Sequence, residues 1–145
     1  MNKKTIPIYF HSEHISFVLK QKTSIRAWLL SIIKKENKQL GEINYIFCDD
    51  KHLLHINQTY LKHSTLTDII TFDYSENNML SGDIFISIER VRENAKKYHV
   101  SFENELKRVI VHGLLHLAGY KDKTKELKTI MTRKEDHYLE LFDTK

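Results

Sequence analysis

The stretch HGLLHLAGYKD, residues 112 to 122, carries two histidines four positions apart, a glycine three beyond the second, and an aspartate three beyond the glycine. On an α-helix, residues four apart lie one above the other, separated by about 6 Å of rise, so His112 and His116 can offer both imidazoles to one ion. Gly119 is placed to stop such a helix in a left-handed turn. Tyr120 and Lys121 would then carry the chain around so that Asp122 points back at the same ion. Two histidines on a buried helix can equally be satisfied core residues, and a bare HxxxH favours that reading. The glycine and the returning carboxylate change the balance. Histidines at i and i+4, glycine at i+7 and a ligand at i+10 follow the plan of metzincin zinc sites. Those proteases need a glutamate directly after the first histidine as general base, and here that position is Gly113. Peptide hydrolysis is therefore disfavoured, while a cradle of His112, His116 and Asp122 is expected to hold one metal ion. Gly113 would let another segment or a ligand approach the helix closely.

Cys48 is the only cysteine, which leaves no disulfide framework and no thiolate cluster, so a metal must rest on histidine and carboxylate. Zinc accepts two histidines and a carboxylate, and iron or manganese also suit such a set. The anionic Asp122 would weaken the ion's pull on a bound water relative to a third imidazole.

These residues need elements to hold them. FENELKRVIVHGLLHLAG has apolar residues around much of its helical circumference, which predicts a central, buried helix with Ser101 as its cap. TSIRAWLLSIIKKENK places Ile25, Trp28, Leu29, Ile32 and Ile33 at helical spacing, with Thr23 or Ser24 to cap it and Gly41 to end the turn. INYIFCDD alternates Ile43, Tyr45 and Phe47 with Ile46 and Cys48, the pattern of a strand covered on both faces. Asp49 or Asp50 caps a short helix through KHLLHINQTYL. IPIYFH, DIITFDY and GDIFISIE read as further strands, and Ser87 caps a helix through IERVRENAKKYHV. TKELKTIMTRKEDHYLELF closes the chain as an amphipathic helix, with Leu127, Ile130, Met131, Tyr138 and Leu141 as its apolar positions. The expectation is an α/β (α+β) chain: one domain over residues 1–145, a small mixed sheet of about four strands, and about five helices packed on it.

HGLLHLAGY matches the H-G-x-L-H-L-x-G-Y motif of the YbeY endoribonucleases at His112, Gly113, Leu115, His116, Leu117, Gly119 and Tyr120. INQTYLKHSTLTDIITF is similar to the family's segment ending T-D-V-L-S-F, with Asn57, Thr67, Asp68 and Phe72 matching. LSGDIFIS, with Gly82 and Asp83, resembles its G-D-I-x-I-S strand. The ordered blocks cover roughly residues 40 to 135. The resemblance implies a zinc-dependent endoribonuclease that cuts single-stranded RNA, matures the 3′ end of small-subunit ribosomal RNA, and works with the ribosome or its proteins. There are two departures from the family pattern. Asp122 stands where the family has its third histidine, and Leu61 stands where it has an arginine, with Lys62 and His63 beside it as substitutes. Lys62, His63, Asp68 and Lys121 are the candidate substrate-binding residues, and His112, His116 and Asp122 the candidate catalytic ones. A ribosome-assembly factor with a structural metal, or another zinc hydrolase on the same cradle, are the competing functions.

The formal charge of +4 and a pI of about 9.0 are compatible with a polyanionic partner without requiring one, because 19 acidic residues intersperse 23 basic ones. RNA is the expected partner, DNA is not, and no run approaches the roughly 20 apolar residues of a membrane span. The N-terminus has no signal-peptide pattern, so a cytoplasmic location is expected. Glu105 lies on the histidine edge but about 10 Å along the axis, beyond reach of the metal.

Overall fold

The structure, a computed structural model, describes residues 5–62 and 67–143. Its elements run β1 (Ile8–Ser12), α1 (Lys22–Lys35), β2 (Gln39–Cys48), α2 (Asp50–Tyr60), β3 (Ile69–Asp73), β4 (Met79–Ser87), α3 (Ile88–Tyr98), α4 (Phe102–Leu117) and α5 (Lys125–Asp143). The four strands form one mixed sheet in the order β1-β2-β4-β3. β1 and β4 both lie parallel to the central β2, and β3 closes the sheet as an antiparallel edge. This is the α/β architecture and strand count that the residue pattern predicts.

Strand alternation divides the core in two. Ile43, Tyr45 and Phe47 of β2 join Ile84 and Ile86 of β4 in the main core, against Trp28, Leu29, Ile32 and Ile33 of α1 and the apolar side of α4. Cys48 and Ile70 face the other way and pack with Leu53 and Ile56 of α2. Burying each such large apolar side chain contributes roughly 1.5–3 kcal/mol. Two polar ties lock these layers: the Tyr45 hydroxyl of β2 donates to the Ile110 carbonyl of α4 at 2.8 Å, and the Trp28 indole of α1 donates to the Tyr138 carbonyl of α5 at 2.7 Å. Burial also pushes the Cys48 thiol up to about 12, so it is a core residue rather than a nucleophile.

Ser87 and Ser101 cap their helices as expected and Asp49, not Asp50, caps α2: they accept from the backbone N–H groups of Arg90, Asn104 and His52. α1 departs from expectation at both ends. It begins at Lys22, so Thr23 and Ser24 lie within its first turn; Gln21 occupies the cap in a left-handed conformation, with no side-chain capping bond. Its closing turn is made at Asn37, just past the Glu36 cap, and not at Gly41: Asn37 takes φ 58, with Asn37 N–H donating to Lys34 and Lys38 N–H to Ile33. Asparagine tolerates the left-handed region well enough to close this turn. Gly41 instead lies in β2 at a register irregularity, where a Cβ would come 2.1 Å from Ser81 Oγ and 2.9 Å from the Leu80 carbonyl. In α5 the buried positions are Met131, Glu135, Tyr138 and Leu139, whereas Ile130 is 43% exposed; the buried stripe includes a carboxylate that apolar periodicity overlooks.

Candidate metal centre

α4 is buried along most of its length because it lies against the sheet on one side and α3 and α5 on others. Its approach to the sheet is close at two glycines. A Cβ on Gly113 would meet Ile84 Cγ2 at 2.9 Å and Ile69 Cδ1 at 3.0 Å, and one on Gly82 would meet the Phe72 carbonyl at 2.6 Å and Leu117 Cδ2 at 2.8 Å. Gly113 is thus a packing contact between α4 and the β3–β4 edge, which leaves no room for a glutamate side chain there.

The helix stops in a Schellman turn. Gly119, at φ +108, donates its N–H to the His116 carbonyl, and the Tyr120 N–H donates to the Leu115 carbonyl. The reversal does two things at once. It brings Asp122 back over the helix end, and it places the Tyr120 carbonyl 3.0 Å from His116 Nδ1. On the other side α5 supplies Glu135, whose carboxylate lies 2.5 Å from His112 Nδ1. Glu135 is 6% exposed and is also held by Arg108, at 2.9 Å.

With both Nδ1 atoms engaged by acceptors, both Nε2 atoms are left to present lone pairs, and they converge at 3.0 Å. Asp122 Oδ2 completes a triangle, 3.3 Å from His112 Nε2 and 3.4 Å from His116 Nε2. Tetrahedral ligands about 2.0–2.1 Å from zinc lie roughly 3.3–3.4 Å apart, so the triangle has the dimensions of one face of that coordination sphere. Two facing lone pairs and a carboxylate are mutually repulsive without a cation between them, which makes this donor set fit a divalent ion. Among the described residues it is also the group of three whose ligand atoms lie close enough to share one.

Charge around the triangle is divided unevenly. Burial presses the His112 pKa down, but Glu135, Asp122 and Asp68 outweigh it and the net direction is up. Burial and the neighbouring His112 lower His116. A first proton therefore goes to His112, and a second is opposed. Asp68 is raised, chiefly by burial, and receives a hydrogen bond from the Asn94 amide at 3.4 Å.

The triangle sits at the junction of two clefts that share Asp68, His112 and Asp122. One, of about 490 Å³, runs along the β3 edge past Asn57, Leu61, Thr71 and Lys121. The other, of about 790 Å³, lies between α3, α4 and α5 and is walled by Asn94, Glu105, Arg108, Lys128 and Met131. Of the candidate substrate-binding residues, Asp68 and Lys121 therefore wall the first cleft together with the triangle. Lys62 is exposed, at φ 57 just past α2, and does not wall either cleft; Leu61, at the family's arginine position, does. His63 lies outside the described residues. Glu105 is 5% exposed, lines the second cleft, and is raised by burial and by Asp68. Sequence reading missed Glu135 and the Tyr120 carbonyl. Glu135 does leave a trace: it falls at i+4 from Met131 on the buried side of α5, where a charge needs a partner. The carbonyl leaves none.

The model of the family described as Endoribonuclease YbeY matches residues 8–143. The chain is 57% identical over 131 residues to the Endoribonuclease YbeY of Flavobacterium psychrophilum, covering 90% of this chain and 94% of that protein. It is 42% identical over 132 residues to that of Parabacteroides distasonis, covering 91% and 93%. The solution structure of TM1509 from Thermotoga maritima aligns with a TM-score of 0.64 at 30% identity, over 93% of this chain and 88% of that one.

Proposed function

The chain belongs to the endoribonuclease YbeY family, and from that premise we propose that it is a metal-dependent endoribonuclease. It cleaves single-stranded RNA in ribosomal RNA maturation, at the 3′ end of the small-subunit RNA, and in ribosome quality control. The observation that carries the proposal is the triangle of His112 Nε2, His116 Nε2 and Asp122 Oδ2 at the meeting point of two open clefts.

His112, His116 and Asp122 are the residues that would hold the ion, and zinc is the metal whose ligand spacing they fit. A divalent ion bound there supplies Lewis acidity, polarising a phosphodiester oxygen and stabilising the charge that develops on it. Glu135 fixes the tautomer and orientation of His112, and the Tyr120 carbonyl does the same for His116. Lys121, exposed on the wall of the first cleft, pairs with the RNA backbone, and cleavage weakens as salt rises. Asp68, half-buried where the clefts meet, lies against the substrate beside the ligands. The carboxylate at position 122 keeps the cradle while leaving manganese or iron as competitors for it. Ribosomal RNA places the protein in the cytoplasm with the ribosome or ribosomal proteins as partners. No helix among the described residues is long and apolar enough to cross a membrane.

The test is cleavage of single-stranded and duplex RNA by highly purified protein and by His116→Ala, with metal content measured on both. Cleavage of the single strand, roughly one equivalent of metal, and loss of both in the variant are expected. A His116→Ala protein that cuts as fast as wild type would assign the nuclease activity to a contaminant. Stoichiometric metal without any cleavage would favour an assembly factor in which the ion is structural.

A further inference from the structure

Glu36 lies 84 residues before Tyr120 in the chain, at the C-terminal cap of α1, and has no contact with the triangle of ligand atoms. Its side chain is only 10% exposed. One carboxylate there receives three donors: the Tyr120 hydroxyl at 2.6 Å, Lys134 Nζ at 3.0 Å and the Tyr138 hydroxyl. Two of the donors come from α5. The third comes from the loop that carries Asp122.

Tyr120 is held at both ends. Its carbonyl accepts from His116 Nδ1, its N–H closes the Schellman turn on Leu115, and its phenol reaches across to Glu36. Asp122 follows two residues later, and among the described residues its side chain meets the two histidines. Gly119 faces open space, while Ala118 and Tyr120 on either side of it pack against the main core. Asp122 is 38% exposed at its side chain. The part-buried phenol–carboxylate bond at the loop's start is therefore its side-chain polar tie to α1, beside the packing of the Tyr120 ring on the main core. His112 is different, because Glu135 anchors it independently from α5.

We propose that Glu36 is a positioning residue for the metal: through Tyr120 it holds His116 and Asp122 at ligand distance, and so sets how tightly the ion binds. The inference rests on the triangle being a metal site. Partners that orient metal ligands typically change affinity by about 10–100-fold when removed, and Glu36 acts one residue further away, so a loss of about tenfold is expected.

The test compares zinc affinity, by competition with a chelating dye, for wild type, Glu36→Gln, Tyr120→Phe, the double variant, Tyr138→Phe and His116→Ala. Tyr138→Phe removes a donor from the same carboxylate without touching the loop, so it reports the stability cost alone. Glu36→Gln and Tyr120→Phe are each expected to weaken zinc binding about tenfold, and the double variant no more than either, because they break one bond. Tyr138→Phe is expected to lower the melting temperature comparably and leave zinc affinity within about twofold. Glu36→Gln weakening zinc no more than Tyr138→Phe, or additive losses in the double variant, would overturn the strut. If wild type binds no stoichiometric zinc, or His116→Ala binds it equally well, the metal reading itself has failed; if both behave as expected and only Glu36→Gln is silent, the strut alone has.

Discussion

Replacing Glu135 with glutamine removes a negative charge from behind His112 while preserving the shape of the side chain and an oxygen that can still accept from Nδ1. The bond lost is short, 2.5 Å, and buried, with Glu135 only 6% exposed. Hydrogen bonds to a charged group contribute roughly 1.5–3 kcal/mol against about 0.5–1.5 kcal/mol for neutral pairs, so the exchange costs His112 about 1–1.5 kcal/mol of support. That corresponds to about a tenfold loss of metal affinity, the lower end of the range for carboxylates behind metal-binding histidines. Arg108 also loses a partner, but it keeps Asp136 at 2.6 Å and is 29% exposed, so the added loss of folding stability is small, about 1 kcal/mol. Zinc competition measures the first effect, and urea unfolding of metal-free protein the second. Zinc affinity within twofold of wild type in Glu135→Gln would show that the carboxylate serves only Arg108, and the account of how His112 is oriented would be wrong.

Gly113→Ala gains about 1 kcal/mol of helix propensity but drives a methyl to within 3.0 Å of Ile84 and Ile69, an overpacking worth about 1–3 kcal/mol, so a net loss of up to about 2 kcal/mol is expected on chemical unfolding. A gain of 1 kcal/mol, as at an exposed helix glycine, would contradict the close approach. Asp122→His keeps three donors but removes an anionic oxygen, so it should favour zinc over manganese more strongly than wild type does; unchanged relative affinities in competition titrations would argue that Asp122 does not ligate. Burial pushes the Glu36 carboxyl up, but bonds from Tyr120, Tyr138 and Lys134 outweigh it and hold it below its ordinary 4.5. Its contribution is therefore fully present above that value and lost as pH falls through the lower folded one. The stability gap between wild type and Glu36→Gln should narrow on acidification below about pH 4.5, and a gap that widens there would reverse the sign.

The three candidate donors were legible in the sequence because their geometry is local. Residues four apart on a helix stack and a glycine three beyond favours a turn, so spacing alone puts His112, His116 and Asp122 at one helix end, while their final separation also rests on contacts from α1 and α5. The same holds for the caps at Ser87 and Ser101 and for the alternation that puts Tyr45 and Cys48 on opposite faces of β2, whereas the choice of Asp49 over Asp50 was left to the structure. Where two residue types can do one job, spacing did not decide: Asn37 rather than Gly41 ends α1, since asparagine also reaches the left-handed region and Gly41 was needed where β2 passes Ser81. The groups that orient these candidate donors come from distant parts of the chain and left no local pattern. Glu135 comes from a different helix, the Tyr120 phenol finds its acceptor 84 residues away, and Gly113 is required by Ile84 and Ile69 on strands far from it in the chain. Each depends on which surfaces the sheet order β1-β2-β4-β3 brings together, and local pattern carries no record of a partner that arrives from elsewhere in the chain.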